Sequence, residues 1–160
     1  MNPLLSTLDG QFAALHERSS ALVGIVPAEK LYWHPRVAGA GAPPVYSCCE
    51  HILRSAACVE QTFGGVTANL WDDPFEWTLA ETLATPALVA QYLAEVEATR
   101  RRGLALVRTD ADLLKQVAVP SGEMQTLFGL LSVTLARAAH HQGRAFATFR
   151  LFSDERLPAL

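Results

Sequence analysis

Residues 123–152 read as one long helix, and the side chains on its inner face limit what the chain can become. Met124, Leu127, Phe128, Leu131, Leu135, Ala138, Gln142, Ala145 and Phe149 recur at three- and four-residue steps, the spacing of an amphipathic helix. Set into it is Arg137-Ala138-Ala139-His140-His141-Gln142-Gly143-Arg144. At about 100° per residue, His141 falls with Leu127, Thr134, Arg137, Ala138, Ala145 and Thr148, and His140 is turned roughly a quarter circle away. An inward imidazole one turn after an arginine predicts the floor of a polar pocket inside a helical bundle.

The rest of the chain supplies helices to pack against it. Leu4, Leu5, Leu8, Phe12, Leu15 and Leu22 predict a first amphipathic helix from Pro3 to about Val23. The proline-bracketed turn from Val26 to Pro35 carries Tyr32 and Trp33, aromatics placed to seal one end of a bundle, and Arg36 to Pro44 reads as a loop. Ser47 and Glu50 have capping-box spacing, so a second helix starts near Ser47; Gly64-Gly65 predict its end just after Phe63. Its apolar stripe is Cys49, Ile52, Ala56, Val59 and Phe63, and beside it runs a polar line of His51, Ser55, Cys58 and Thr62.

Residues 66–84, with Trp71 and Trp77, form a connection long enough for a crossover or a lid, with a helical turn at Leu79 to Leu83. Thr85-Pro86 supplies an N-cap and a first-turn proline for a third helix through about Val107, with Val89, Tyr92, Leu93, Val96 and Leu106 inward. Arg100-Arg101-Arg102 reads as a solvated cluster complementing that helix's dipole. Thr109-Asp110 caps a short turn from Ala111 to Gln116, and Pro120-Ser121-Gly122 breaks the chain before the last helix. Four amphipathic segments with little strand-like alternation predict a single all-α domain, a four-helix bundle with a long connection between helices two and three.

Composition narrows the function classes. No apolar run approaches the roughly 18 residues of a membrane span, and the N-terminus lacks the pattern of a secretory signal, which implies a cytoplasmic protein. A net charge of −3 with scattered basic residues gives no footprint for nucleic acid. Cys48, Cys49 and Cys58 show no Cys-x-x-Cys pairing and read as small buried residues in a reducing compartment. No serine-histidine-acid order, phosphate-binding glycine loop or His-Glu-x-x-His motif is present.

Polar sites in bundles are built from inward side chains on facing helices. Here helix two offers His51, and helix four offers His141, Arg137 and His140 at the edge. Histidines from two helices point to a transition metal, although two make a poor cage.

Four stretches, taken in order, resemble the DinB-like family of four-helix bundles. They are Leu31-Tyr32-Trp33-His34-Pro35; Tyr46-Ser47-Cys48-Cys49-Glu50-His51-Ile52; Trp77-Thr78-Leu79 leading to Ala84-Thr85-Pro86; and His140-His141-Gln142-Gly143-Arg144 continued by Phe149-Arg150-Leu151-Phe152. The family includes damage-inducible proteins and metal-dependent thiol enzymes, and the resemblance implies a metal held by three histidines. The first matches His51 and the third His141, but the second falls on Arg137. A guanidinium has no lone pair to offer a metal. Arg144 likewise stands where the family has glutamine.

Three readings follow. In one, the chain is a metal-dependent hydrolase or thiol-dependent transferase with a degenerate third ligand. His51 and His141 then hold zinc or nickel, and Arg137 orients a substrate carboxylate. In the second, the pocket is metal-free and Arg137, with His140 nearby, holds an anion or an acidic side chain such as Glu50 or Glu60; the protein is then a non-enzymatic binder of small carboxylate- or thiol-containing molecules, or a stress-associated interaction module. In the third, the histidines are hydrogen-bonded structural residues. The resemblance also implies a homodimer burying part of the helix-three face.

Overall fold

The computed structural model describes residues 2–35, 41, 44–74 and 78–159. It is built on four helices: α1 (Pro3–Ile25), α2 (Cys48–Ala68), α3 (Pro86–Ala105) and α4 (Leu127–Phe149). Trp77 and most of the Arg36–Pro44 loop lie outside the described residues.

Local signals place the helix starts. The Ser47 hydroxyl accepts from the Glu50 N–H at 3.2 Å while the Glu50 carboxylate accepts from the Ser47 N–H at 2.6 Å, so the capping box closes both ways. Thr85 caps α3 through the Leu88 N–H, and Thr126 caps α4 through the Gly129 N–H. The last cap moves the start of α4 to Leu127. The preceding residues form a hairpin instead, β1 (Gln116–Ala118) paired antiparallel with β2 (Met124–Thr126) around the Pro120-Ser121-Gly122 turn. Met124, expected inward, is therefore exposed on a strand, as is Phe128 in the first turn of the helix. Three-residue strands are too short for alternation to be legible.

Gly64-Gly65 do not end α2, which continues to Ala68 and stops at Asn69 in the left-handed region at φ 55°. The glycines are needed for close approach. A Cβ on Gly65 would lie 2.3 Å from the Trp71 ring, and one on Gly64 would lie 3.1 Å from the Leu70 carbonyl oxygen. The chain leaving α2 folds straight back over its own last turns.

That return is a crossover. The contacts Asp9–Arg100 and Leu4–Asp110 run α1 antiparallel to α3, and Thr62–Thr134 and Ser55–Ala138 run α2 antiparallel to α4. Glu60 meets Tyr92 and Phe63 meets Gly103, so α2 and α3 are parallel neighbours. Parallel neighbours require the chain to travel back along the bundle between Asn69 and Thr85. Leu83 is tied to the far end through the Tyr32 hydroxyl at 2.7 Å. Trp33 packs edge-on against Phe152 at 5.5 Å, closing the same end. Around the bundle the order is α1, α3, α2, α4; across the core, Phe12 of α1 stacks edge to face on Phe63 of α2 at 5.5 Å.

The arginine cluster departs from expectation. Arg101 and Arg102 are exposed, but Arg100 is 2% exposed and Glu97 7%. Arg100 donates through Nε and Nη2 to the Glu97 carboxylate at 2.7 Å and through Nη1 to Asp9, and Arg101 adds a third donor to Glu97 at 2.6 Å. Position 100 is one turn past Val96 on the inward face, so the side chain that follows the stripe is buried and Glu97 beside it answers the charge. Leu106, expected inward, is 68% exposed because the helix has already ended.

Removing one partner from a buried ion pair strands the other. Arg100→Met is expected to cost about 3 kcal/mol in urea unfolding. Gly65→Ala, which overpacks Trp71, is expected to cost roughly 1–3 kcal/mol in the same measurement.

Candidate functional site

The α2–α4 seam is zipped by polar contacts one or two turns apart. At its lower end the Thr62 and Thr134 hydroxyls share a hydrogen bond of 2.7 Å, and in the middle the Ser55 hydroxyl donates to the Ala138 carbonyl at 2.8 Å. On the neighbouring strip of α4, Gln142 is buried and donates to the Leu15 carbonyl and the Ser19 hydroxyl, each at 2.7 Å, tying α4 to α1. Once that register is set, the next residues up the seam are His51 and His141.

Their rings lie 6.0 Å apart, centroid to centroid, inclined by 30°. His51 is buried, and His141 is half-buried. Among the described residues, the Nδ1 atoms of both rings are buried without a hydrogen-bond partner. Tyr46 stacks edge-on against His51 at 5.6 Å and lies under the Arg54 guanidinium, 4.1 Å from its ring centroid, with the Tyr46 hydroxyl accepting from Arg54 at 2.8 Å. The aromatic and the cation together wall one side of the histidine pair.

Beside the pair opens a small cleft of about 40 Å³ lined by Arg54, Cys58, Gln61, Asp73, Arg137 and His141, with Ala57 between them. Arg137, expected inward, has an exposed side chain and lines the mouth rather than the floor. It lies one turn before His141, on the outer edge of the seam, where a long charged side chain reaches the cleft and keeps its head in water. No hydrogen bond or ion pair engages it among the described residues. His140 is exposed; its ring lies 5.7 Å from that of His141, and it does not line the cleft. Glu50 is held by the helix cap and by His34, whose Nε2 lies 2.9 Å from it, and Glu60 accepts from the Tyr92 hydroxyl at 2.5 Å, so neither carboxylate pairs with Arg137.

Positive charge dominates these surroundings. Burial, then His141 and Arg144, push the His51 imidazole down to about 4; Glu50 opposes them, and Arg54 adds the smallest downward push. Burial lowers His141 too, helped by Arg54, His140, Arg144 and Arg137. Both rings are therefore neutral at pH 7. Burial raises the Cys58 thiol, and the nearby Arg137 offsets this only in part, so the sulfur stays protonated.

Arg54, Gln61 and Asp73 are the cleft residues that the sequence reading missed. A signal for two of them was present: 54, 58 and 61 follow His51 at steps of three, four and three, one stripe along α2. Asp73 arrives on the crossover, which has no periodicity to read.

The donor set decides how well a metal fits. Two imidazoles sharing one ion have ring centroids roughly 5–6 Å apart, given metal–nitrogen bonds near 2.0–2.1 Å, so the separation and neutrality of the pair suit coordination. The remaining donors do not. Among the described residues no three histidine, cysteine or acidic side chains converge, and guanidiniums surround the pair. The residues as they stand do not fit a closed metal site. Compared with known proteins, the chain matches no family model, no curated protein and no solved structure.

A histidine whose folded value lies below its unfolded one of about 6.5 contributes stability above that pH and loses it as the pH falls toward the folded value. For His51 that window runs from about 6.5 to about 4. Wild-type stability is expected to fall by roughly 2–3 kcal/mol more than that of His51→Gln across the window, read from urea midpoints at stepped pH.

Proposed function

We propose that the chain is a metal-free binding module for small carboxylate-type anions, seated in the cleft where α2 meets α4. Arg137 is the charged anchor, Arg54 is the second cation, and the neutral imidazoles of His141 and His51 offer N–H donors or acceptors as the ligand requires. The observation that carries this reading is the character of the cleft wall: two guanidiniums, an amide and a histidine around one small opening, with Asp73 as the sole carboxylate among its lining residues. An anion entering it replaces water with planar, multidentate donors.

The reading keeps the DinB-like resemblance and explains its departure. Four helices in the expected order, together with the meeting of residues 51 and 141, support a divergent member of that family. In it the middle ligand position has become a fixed cation. At an effective dielectric near 20, a divalent ion with a guanidinium roughly 6–8 Å away is disfavoured by several kcal/mol. The same substitution that removes a ligand thus changes the sign of the charge that the site prefers.

The competing reading is the metal-dependent hydrolase or transferase that the family implies. The 6.0 Å spacing of the rings and their two buried, unpartnered Nδ1 atoms favour it. Elemental analysis of protein purified without a histidine tag, paired with titration calorimetry against acetate and propanoate, separates the two. Sub-stoichiometric metal with saturable carboxylate binding, weakened at least tenfold by Arg137→Gln, is the expected result. Stoichiometric zinc or nickel in the wild type overturns it. Arg137→His, which puts a third imidazole one turn before His141, is expected to gain zinc affinity by at least a hundredfold over wild type.

A further inference from the structure

The cationic cleft between α2 and α4 has one wall that a carboxylate alone does not satisfy. Arg54, Cys58 and Gln61 come from α2 and Arg137 and His141 from α4, whereas Asp73 is brought by the chain returning from α2. That return is fixed locally: the Gln61 amide donates to the Trp71 carbonyl at 2.8 Å, and the Trp71 ring packs over Gly65. Asp73, two residues on, reaches the cleft and is exposed there. The opening measures about 40 Å³, room for about three water molecules. So small a space does not hold its charges far apart. Burial raises the Cys58 thiol, and after it Arg137, Asp73 and Arg54 all act on the same sulfur. Two cations and one anion therefore surround one point. A ligand that offers only a carboxylate meets both guanidiniums and, across the same space, the repulsion of Asp73.

Resting on the anion-site reading above, we propose that the ligand is a small α-amino acid, its carboxylate on Arg137 and Arg54 and its α-ammonium on Asp73. In such a molecule a single carbon separates the two charged groups, the compact arrangement that the opening admits. A guanidinium has five donors and a carboxylate about four acceptor sites, so each of these side chains serves the ligand while keeping the contacts that hold it in place. Glycine and alanine suit the volume. A larger side chain has only the open mouth beside Arg137 to occupy.

Titration calorimetry of the intact chain with glycine and with acetate tests this. Glycine is expected to bind at least tenfold more tightly than acetate. Asp73→Asn is expected to move the two acids in opposite directions, weakening glycine at least tenfold and strengthening acetate, a crossing that misfolding cannot produce. Glycine no tighter than acetate, with acetate saturating, overturns the amino-acid ligand and leaves the anion site standing. A glycine advantage that survives Asp73→Asn does the same, as does a fall in both affinities when the variant keeps the helical circular dichroism of the wild type. If neither acid binds the wild type, or if glycine binding is indifferent to Arg137→Gln, the anion site falls and the amino acid with it.

Discussion

The antiparallel register of α2 on α4 is the constraint from which the rest follows. Two helices with apolar faces alone can slide or rotate against each other at modest cost, because hydrophobic contact is non-directional. Here the Thr62–Thr134 and Ser55–Ala138 hydrogen bonds and the Gln142 bridge to α1 are buried. A slip of α2 on α4 by one residue would strip the buried Ser55 and Thr62 hydroxyls of their partners, at about 1–3 kcal/mol apiece. Locked in this way, the seam delivers His51 and His141 to one level and Arg54 and Arg137 to one mouth.

Much of the fold was legible because it rests on local rules. The Ser47/Glu50 box, the Thr85-Pro86 start and the three- and four-residue stripes predict α1, α3 and the start of α2 closely, since caps and periodicity need only near neighbours. What escaped depends on partners distant in sequence. Gly64-Gly65 carry the same signal as a helix stop, and only the ring of Trp71, packed from the far side, reveals that they serve proximity. Arg100 looks like one of three surface cations until Asp9 and Glu97 are brought to it. The hairpin before α4 is three residues on each side, below the length at which alternation can be distinguished.

The site shows the same division. Periodicity brings His51 and His141 together, because it reports which face of each helix points inward. Arg137 shares the angular sector of His141, yet its side chain is exposed at the cleft mouth. Helical projection gives the direction of a Cβ and says nothing about where a long, flexible stem ends. Arg54 lies off the inward stripe and enters the site by stacking on Tyr46, a contact made across the α2 cap rather than along the helix. Charge at this site is thus contributed by edge positions, which a reading of the inner faces alone does not reach.

The crossover that makes α2 and α3 parallel has a bearing on how the chain assembles. Hydrogen bonds between α2 and α4 join residues 72 and 83 positions apart in sequence, a high contact order for a helical protein, and such pairings form late. During synthesis the α2 face that will hold the cleft emerges well before its partner. Until α4 leaves the ribosome, that face has only α1 and α3 to shield it. The complete cleft therefore arrives with the last quarter of the polypeptide, and a product cut short before Thr134 carries one wall of it and none of the contacts that fix its register.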